Sequence, residues 1–367
     1  MTLPSRNALR PLSRGICIIM AGGRGTRFWP LSRADRPKQL LALSSGRSLL
    51  RETFDRIEPL VGADRILVIT SGSLAEPTRA ELPELSPEQV INEPVGRNTA
   101  PCAVLGMGVA GRIDPAAPVA LLPADHYIPD LEKFRSQLQM AFDHVAKHET
   151  VLTLGIPPTR PETGYGYILA AEDFPDSGVG TGLGFVEKPD FSTAEQYVRG
   201  GKHFWNSGIF VWNPRFFEKA CDSDIPEIRR FVEPAVDRHG TKSFAEALDV
   251  AYRDCPAVSL DVAVMEKLTG FALLAADFRW SDLGSWDAWG ELAEPLPEEN
   301  LGRADLLPVD SRGNILMIPE KLVALVGVEN MIIVDSADAL LVCRKDQAQR
   351  LKEVIVALEK TGRDDLL

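Results

Sequence analysis

Ile16-Cys17-Ile18-Ile19-Met20-Ala21-Gly22-Gly23-Arg24-Gly25-Thr26-Arg27 runs a short apolar strand straight into a glycine-rich turn bearing two arginines, with Pro37-Lys38-Gln39 close behind. Gly22, Gly23 and Gly25 allow positive φ and close backbone approach to a ligand. The free N–H groups of such a turn form an anion-binding nest, to which Arg24, Arg27 and Lys38 add full charges. A nucleoside triphosphate is the expected guest. No Gly-Lys-Ser/Thr closes the loop and its glycines are not spaced G-x-G-x-x-G, so kinase, P-loop ATPase and dinucleotide-dehydrogenase readings fall away. Taken alone, the segment also fits a strand followed by a glycine turn on a solvated edge.

Working outward, apolar runs recur at residues 16–20, 66–69, 119–122 and 151–154, each bounded by turn residues as expected of fully buried strands. Helix-length stretches at 98–112 and 131–148, with apolar positions three and four apart, lie between them. This alternation predicts an α/β fold with a mostly parallel sheet covered by helices on both faces. Ligands of such sheets bind outside the carboxyl ends of the strands. The glycine loop after Met20 and Pro123-Ala124-Asp125 after Leu122 both fall there, so the two are expected to converge on one crevice. From Pro295 the texture changes to a connector and then short strands at 314–318, 323–326, 331–334 and 339–343, closed by an amphipathic helix near 346–358. The predicted division is a lead-in at 1–14, a catalytic domain at 15–294, and a small C-terminal unit, short and β-helix-like, at 295–367.

Composition narrows the class. The chain has 367 residues, 45% hydrophobic and 25% charged, which suits a soluble globular protein of about two domains. A formal net charge of −12 argues against a nucleic-acid footprint, although a local field from Arg24, Arg27, Arg36, Lys38 and Lys188 can still receive phosphates. No apolar run nears the roughly 20 residues of a membrane span, and the first residues lack the apolar core of a secretory signal; a cytoplasmic location is expected. Five scattered cysteines suit reduced core thiols, and without C-x-x-C or H-E-x-x-H a protein-built zinc site is not expected.

Further motifs follow in order: Pro94-Val95-Gly96-Arg97-Asn98-Thr99-Ala100-Pro101, Pro123-Ala124-Asp125-His126, Glu162-Thr163-Gly164-Tyr165-Gly166-Tyr167-Ile168, Phe185-Val186-Glu187-Lys188-Pro189, Trp205-Asn206-Ser207-Gly208 and Trp280-Ser281-Asp282-Leu283-Gly284-Ser285-Trp286. With the first loop they resemble the sugar-nucleotidyltransferase family over about residues 15–350, and most closely its members that act on mannose 1-phosphate. The resemblance implies a Rossmann-like nucleotidyltransferase domain that moves GMP from GTP to α-D-mannose 1-phosphate, giving GDP-mannose and pyrophosphate. It implies Mg²⁺ as cofactor; charge and the lack of a long apolar run add the expectation of no nucleic-acid or membrane partner, with self-association left open. Arg24 and Phe28 stand where the family usually has Ser and Leu, which bears on fine specificity.

Asp125 and Asp282 match the family's metal-binding aspartates, and Mg²⁺ takes one or two carboxylates plus phosphate oxygens and waters. Either could instead cap a helix or turn. Arg24 and Lys38 are assigned to the triphosphate and its developing charge. Ala21, Gly22, Gly23, Gly25, Thr26, Arg27, Asn98 and Thr99 are assigned to the nucleotide. Glu93, after the expected strand at 89–91, can accept from both N1–H and N2–H of guanine, a donor pair that adenine lacks; as a surface charge it would do neither. Gly166, Glu187, Lys188 and Asn206 resemble the family's sugar-phosphate positions, or else form a proline-halted strand end and a turn. Asp261 is expected to cap the helical stretch after it rather than touch the sugar, and Trp280 and Trp286 to pack the wall of the site. The alternatives are a nucleotidyltransferase for another sugar 1-phosphate or nucleotide and, outside the enzymes, a catalytically silent nucleotide-sugar sensor or regulatory subunit on the same fold.

Overall fold

The computed structural model describes residues 14–23, 25–172, 174 and 178–367. The expected lead-in, apart from Arg14, and Arg24 lie outside the described residues. Nine strands make the main sheet: β1 (Ile16–Ala21), β2 (Ile66–Ser71), β3 (Val90–Glu93), β4 (Val119–Pro123), β5 (Val151–Ile156), β6 (Tyr167–Ala170), β7 (Val179–Val186), β8 (His203–Trp212) and β9 (Phe271–Ala275). Their order is β3-β2-β1-β4-β8-β5-β9-β7-β6.

The sheet is mixed, which corrects the expectation of a mostly parallel one. The half β3-β2-β1-β4 is parallel throughout, and β5 also pairs β9 in parallel. β8 enters antiparallel between β4 and β5, and β6 and β7 pair antiparallel with each other and with β8 and β9 respectively. Because β6 reaches both β7 and β8, strands β8-β5-β9-β7-β6 close on themselves. The parallel half was legible because its strands are buried on both faces. Ile16, Ile18, Leu67 and Ile69 enter one core layer, while Cys17, Ile19, Ile66 and Val68 enter the opposite one, as the period of two requires. A fully buried Ile or Val contributes about 1.5–3 kcal/mol over an exposed one.

A second sheet, β10 (Pro295–Leu296), β11 (Asn300–Val309), β12 (Ile315–Val326), β13 (Met331–Asp335) and β14 (Leu340–Arg344), follows in that order, with β11-β12-β13 parallel. Short parallel strands joined by tight turns form β-helix-like coils, and here the turns stack on a buried asparagine ladder. Asn314 Nδ2 donates to Asn300 Oδ1 at 2.9 Å and to the Val328 carbonyl at 2.8 Å, while Asn300 Nδ2 donates to the Ser311 carbonyl at 2.9 Å. Both asparagines are fully enclosed, so these bonds satisfy groups that would otherwise be costly to bury. The helix Leu351–Thr361 closes this unit.

A third core joins the two sheets. Phe28, Trp29, Leu41 and Leu43, from the loop after the glycine turn, pack with Trp286 and Trp289 and with Ile315, Met317, Ile332 and Val334 of the second sheet. Trp286 is therefore not a wall of the cleft. It meets Phe28 edge-on at 4.8 Å and donates from Nε1 to the Trp29 carbonyl at 3.0 Å, pinning the loop that carries Lys38. Cys17, Cys102, Cys221 and Cys255 are buried free thiols and Cys343 is a partly buried one. Among the described residues no helix is long and apolar enough to cross a membrane.

Candidate active site

β1 and β4 run side by side in parallel, so their carboxyl ends release the glycine turn and the Asp125 turn at one edge of the sheet. Lys38 lies beneath the glycine turn. Gly25 sits at φ 55, and a Cβ there would fall 2.5 Å from both the backbone nitrogen and the Cβ of Lys38, so a side chain would displace the lysine. Gln39 holds the same turn from below, its Nε2 donating to the carbonyl of Ala21 at 2.7 Å and, more weakly, to that of Gly23 at 3.4 Å. Gly22 and Gly23 are exposed above it.

The Lys38 ammonium is the junction of the site. It pairs with Asp125 Oδ2 at 2.8 Å and donates to the main-chain carbonyl of Asp282. Burial alone would raise the Asp125 carboxyl, but Lys38 beside it brings the group below the ordinary aspartate value. Tyr127 and Ser281 exchange backbone hydrogen bonds at 2.9 and 3.1 Å, tying the Asp125 and Asp282 turns together across more than 150 residues of chain. Asp282 Oδ1 accepts from the Tyr165 hydroxyl at 2.7 Å. Burial and the neighbouring Asp282 carboxylate push that phenol upward, so Tyr165 stays the donor.

Beyond Asp282 lies a cleft of about 210 Å³, lined by Gly166, Glu187, Asn206, Asp261, Tyr165 and Trp280 together with Met20 and Thr99. Gly166 makes room for Glu187, since a Cβ there would fall 2.7 Å from Glu187 Oε2 and 2.7 Å from the Phe185 ring. Glu187 in turn binds the Lys188 amine. Asn206 Nδ2 donates to Asp261 Oδ1 at 2.9 Å. Asp261 is not a cap: Ser259 caps the short helix Leu260–Ala263, leaving Asp261 inside it with its carboxyl in the cleft. Burial, and then Glu187, push that carboxyl up to about 6. Trp280 does form a wall, edge-on to Tyr165 at 5.3 Å and to His126 at 5.2 Å. Its Nε1 donates to His126 Nδ1 at 3.2 Å, which assigns the ring proton to Nε2. Burial lowers His126 to about 4, so the imidazole is neutral at physiological pH.

Glu93 is buried at the end of β3, not a surface charge. Its Oε1 accepts from the Tyr252 hydroxyl at 2.8 Å, and Oε2 lies 3.7 Å from where a Gly22 Cβ would be. Burial pushes the carboxyl up to about 7, against the lowering effect of the Tyr252 bond. Asn98 and Thr99 spend their side chains locally: Asn98 caps the helix Thr99–Ile113, and the Thr99 hydroxyl accepts from the Leu260 N–H at 2.8 Å, fixing the helix that carries Asp261. Thr26 and Arg27 point out toward Leu351 and Lys352 and line a cavity of about 80 Å³ there. Sequence reasoning missed Tyr165, Gln39 and His126, which lie inside quoted motifs, and Tyr252, whose place in the helix Phe244–Asp254 reads as ordinary core.

Residues 16–299 match the model of the nucleotidyl transferase family, and residues 305–358 that of the mannose-phosphate isomerase/GMP-like β-helix domain. The chain belongs to the nucleotidyl transferase family. Its relatives within it include the mannose-1-phosphate guanylyltransferase of Salmonella muenchen, 34% identical over 96% of this chain and 75% of the relative. The mannose-1-phosphate guanylyltransferase of Escherichia coli is 32% identical over 95% of this chain and 77% of its own length. A crystal structure described as a mannose-1-phosphate geranyltransferase from Thermus thermophilus superposes with a TM-score of 0.84 at 33% identity, covering 94% of this chain and 99% of that one.

Proposed function

We propose that this chain transfers GMP from GTP to α-D-mannose 1-phosphate, releasing pyrophosphate and GDP-mannose. The observation that carries the reading is the junction at Lys38, where one ammonium meets the Asp125 carboxylate and the Asp282 main chain between a glycine nest and an enclosed polar cleft. The attacking sugar-phosphate oxygen is already largely ionised at neutral pH, so no general base is needed and the neutral His126 serves as a fixed wall. In-line attack on the α-phosphorus then depends on positioning and charge neutralisation, without a covalent intermediate.

The proposed roles divide between two sides of the site. Ala21, Gly22, Gly23 and Gly25 cradle the triphosphate, with Lys38 meeting the charge that develops on it. Arg24 is assigned to the nucleotide by the family resemblance, Asn98 and Thr99 act by fixing the helix Thr99–Ile113 rather than by touching a ligand, Thr26 and Arg27 turn away toward Leu351 and Lys352, and Glu93 reads guanine with its free oxygen. Glu187, Asn206 and Asp261 accept from or donate to sugar hydroxyls, Gly166 keeps the space open for them, and Lys188 faces the sugar phosphate. Lys38 draws the Asp125 carboxylate and the Asp282 main chain to one point, and the carboxylates of these two residues, hard oxygen donors, would hold Mg²⁺ beside it. A bound Mg²⁺ would supply charge neutralisation on phosphate oxygens. The test is product analysis: GDP-mannose and pyrophosphate should form in equal amounts from GTP and mannose 1-phosphate, and far more slowly from ATP or glucose 1-phosphate. GTP turnover indifferent to the sugar phosphate would sink the reading, and binding of both substrates with no pyrophosphate released would favour a silent sensor.

A further inference from the structure

A cavity of about 1070 Å³ lies behind the site, between the helix Leu49–Val61, the segment after His126 and the connector into the second sheet. It exceeds the sugar-side cleft of about 210 Å³ and shares no lining residue with it. Phe54, Ile128, Leu283 and Trp289 give it an apolar wall. Most charges around it are spoken for. Arg51 pairs with Asp55 and Glu84, both at 2.8 Å, Arg135 pairs with Glu132 at 2.6 Å, and Arg303 donates to main-chain carbonyls.

Among the arginines Arg56 stands apart, and among the acids Glu52, Glu58 and Glu294 likewise have no ion pair among the described residues. Arg56 lines the cavity at 2% exposure, yet forms no ion pair among the described residues. Its Nη2 donates to the His126 carbonyl at 3.1 Å, its plane lies 5.5 Å from the Phe134 ring centre, and its enclosed Nε has no partner. A guanidinium buried without a counter-ion is expensive, and an anion in the cavity would supply that counter-charge. Burial lowers it to about 10, so it remains charged at neutral pH.

We infer that this cavity is an effector site for an organic anion, a phosphate, sulfonate or carboxylate on an apolar or aromatic body, with Arg56 as its anchor. The site is wired to the reaction centre by two contacts. Arg56 holds the main chain of His126, the neighbour of Asp125. Leu283, whose side chain lines the cavity, sits at φ 48, a conformation uncommon for a branched apolar residue, and it directly follows Asp282, whose carbonyl receives Lys38. An occupant pressing on either contact biases the position of an aspartate.

The test uses the full chain and 8-anilinonaphthalene-1-sulfonate, an aromatic body with one anionic group, followed by fluorescence. The uncharged N-phenyl-1-naphthylamine serves as its comparison. The parent should bind the sulfonate at one saturable site; Arg56→Gln should weaken it about tenfold while leaving the uncharged probe nearly unchanged. Ala293→Trp, which fills the cavity from its rim and touches nothing in the cleft, should lose both probes, and it keeps the test alive if Arg56→Gln folds poorly. Parental binding in Ala293→Trp, or equal loss of both probes in Arg56→Gln, would overturn the site. The coupling rests on the proposed reaction and is read separately, as an initial rate of pyrophosphate release that the sulfonate changes about fivefold in the parent but not in Ala293→Trp. An unaltered parental rate with the probe bound would overturn the coupling, whereas absence of any turnover would count against the proposed reaction and leave the binding result standing.

Discussion

Where β1 ends, the cleft offers main chain: exposed Gly22 and Gly23, a turn held from below by Gln39, and a single buried carboxylate, Glu93, half engaged by Tyr252. Across from it, the closed ring of β5 to β9 and the helix Leu260–Ala263 offer side chains, with Glu187, Asn206 and Asp261 half-buried beside Tyr165 and Trp280. A backbone nest takes triphosphates of many kinds, because it reads charge and shape. Enclosed carboxylates and amides discriminate among hydroxyl patterns, because a wrong ligand leaves them unpaired. On the proposed reading the nucleotide side is built for affinity with selection delegated to one residue, and the sugar side for selection throughout. Lys38 bridges the two.

The comparison breaks first at the centre. Asp125→Asn or Asp282→Asn should cut turnover at least roughly a hundredfold, about 2.7 kcal/mol of barrier, with both substrates affected alike and the fold retained. Near-parental turnover at limiting Mg²⁺ in pyrophosphate-release assays would remove that aspartate from the metal site. On the sugar side, Gly166→Ala forces Glu187 and Phe185 aside and should raise KM for mannose 1-phosphate about thirtyfold, leaving KM for GTP unchanged. Lys188→Ala should do the same by about tenfold, the loss of one charge-assisted phosphate contact. Equal changes in both KM values from either variant would dissolve the division between the sides.

The smallest effect belongs to Glu93. Because Tyr252 already takes one of its oxygens, Glu93→Gln should reduce the preference for GTP over ITP by only about 1 kcal/mol, the low end for a charged hydrogen bond. An unchanged ratio of kcat/KM would move base selection to the backbone of the glycine turn. The same variant carries a stability signature. In the parent the folded value of Glu93, near 7, lies above the unfolded 4.5, so the folded chain retains a proton that the unfolded chain releases. That contribution is complete below pH 4.5 and is lost as pH rises through 7. In denaturant unfolding, the parent should therefore lose stability relative to Glu93→Gln across that window, and a constant difference would show that Glu93 does not titrate there.

What could be read from the sequence was local or doubly buried. The strand into Gly22-Gly23, the apolar runs of β2, β4 and β5, and the Asp125 turn each announce themselves within a few residues, and parallel pairing then brings Asp125 to the glycine turn. β7 reads Val-Gly-Thr-Gly-Leu-Gly-Phe-Val and buries only part of one face, so neither its direction nor its partner shows in its pattern. That is why the antiparallel ring was invisible. Asp261 stood where aspartate often caps a helix, and its actual surroundings, Asn206 and Glu187, come from 55 or more residues away. Trp286 shares a motif with Asp282 but turns the opposite way, toward a core that the second sheet completes.

The bridging role of Lys38 can be measured alone, as single-turnover pyrophosphate release by Lys38→Ala with GTP and mannose 1-phosphate both saturating. The expected result is a rate lower by about a hundredfold or more, with equilibrium binding of each substrate close to parental, since the charge acts on the reacting phosphate and joins the two aspartate turns. A parental rate at saturation, or a loss accounted for entirely by weaker binding of one substrate, would contradict it.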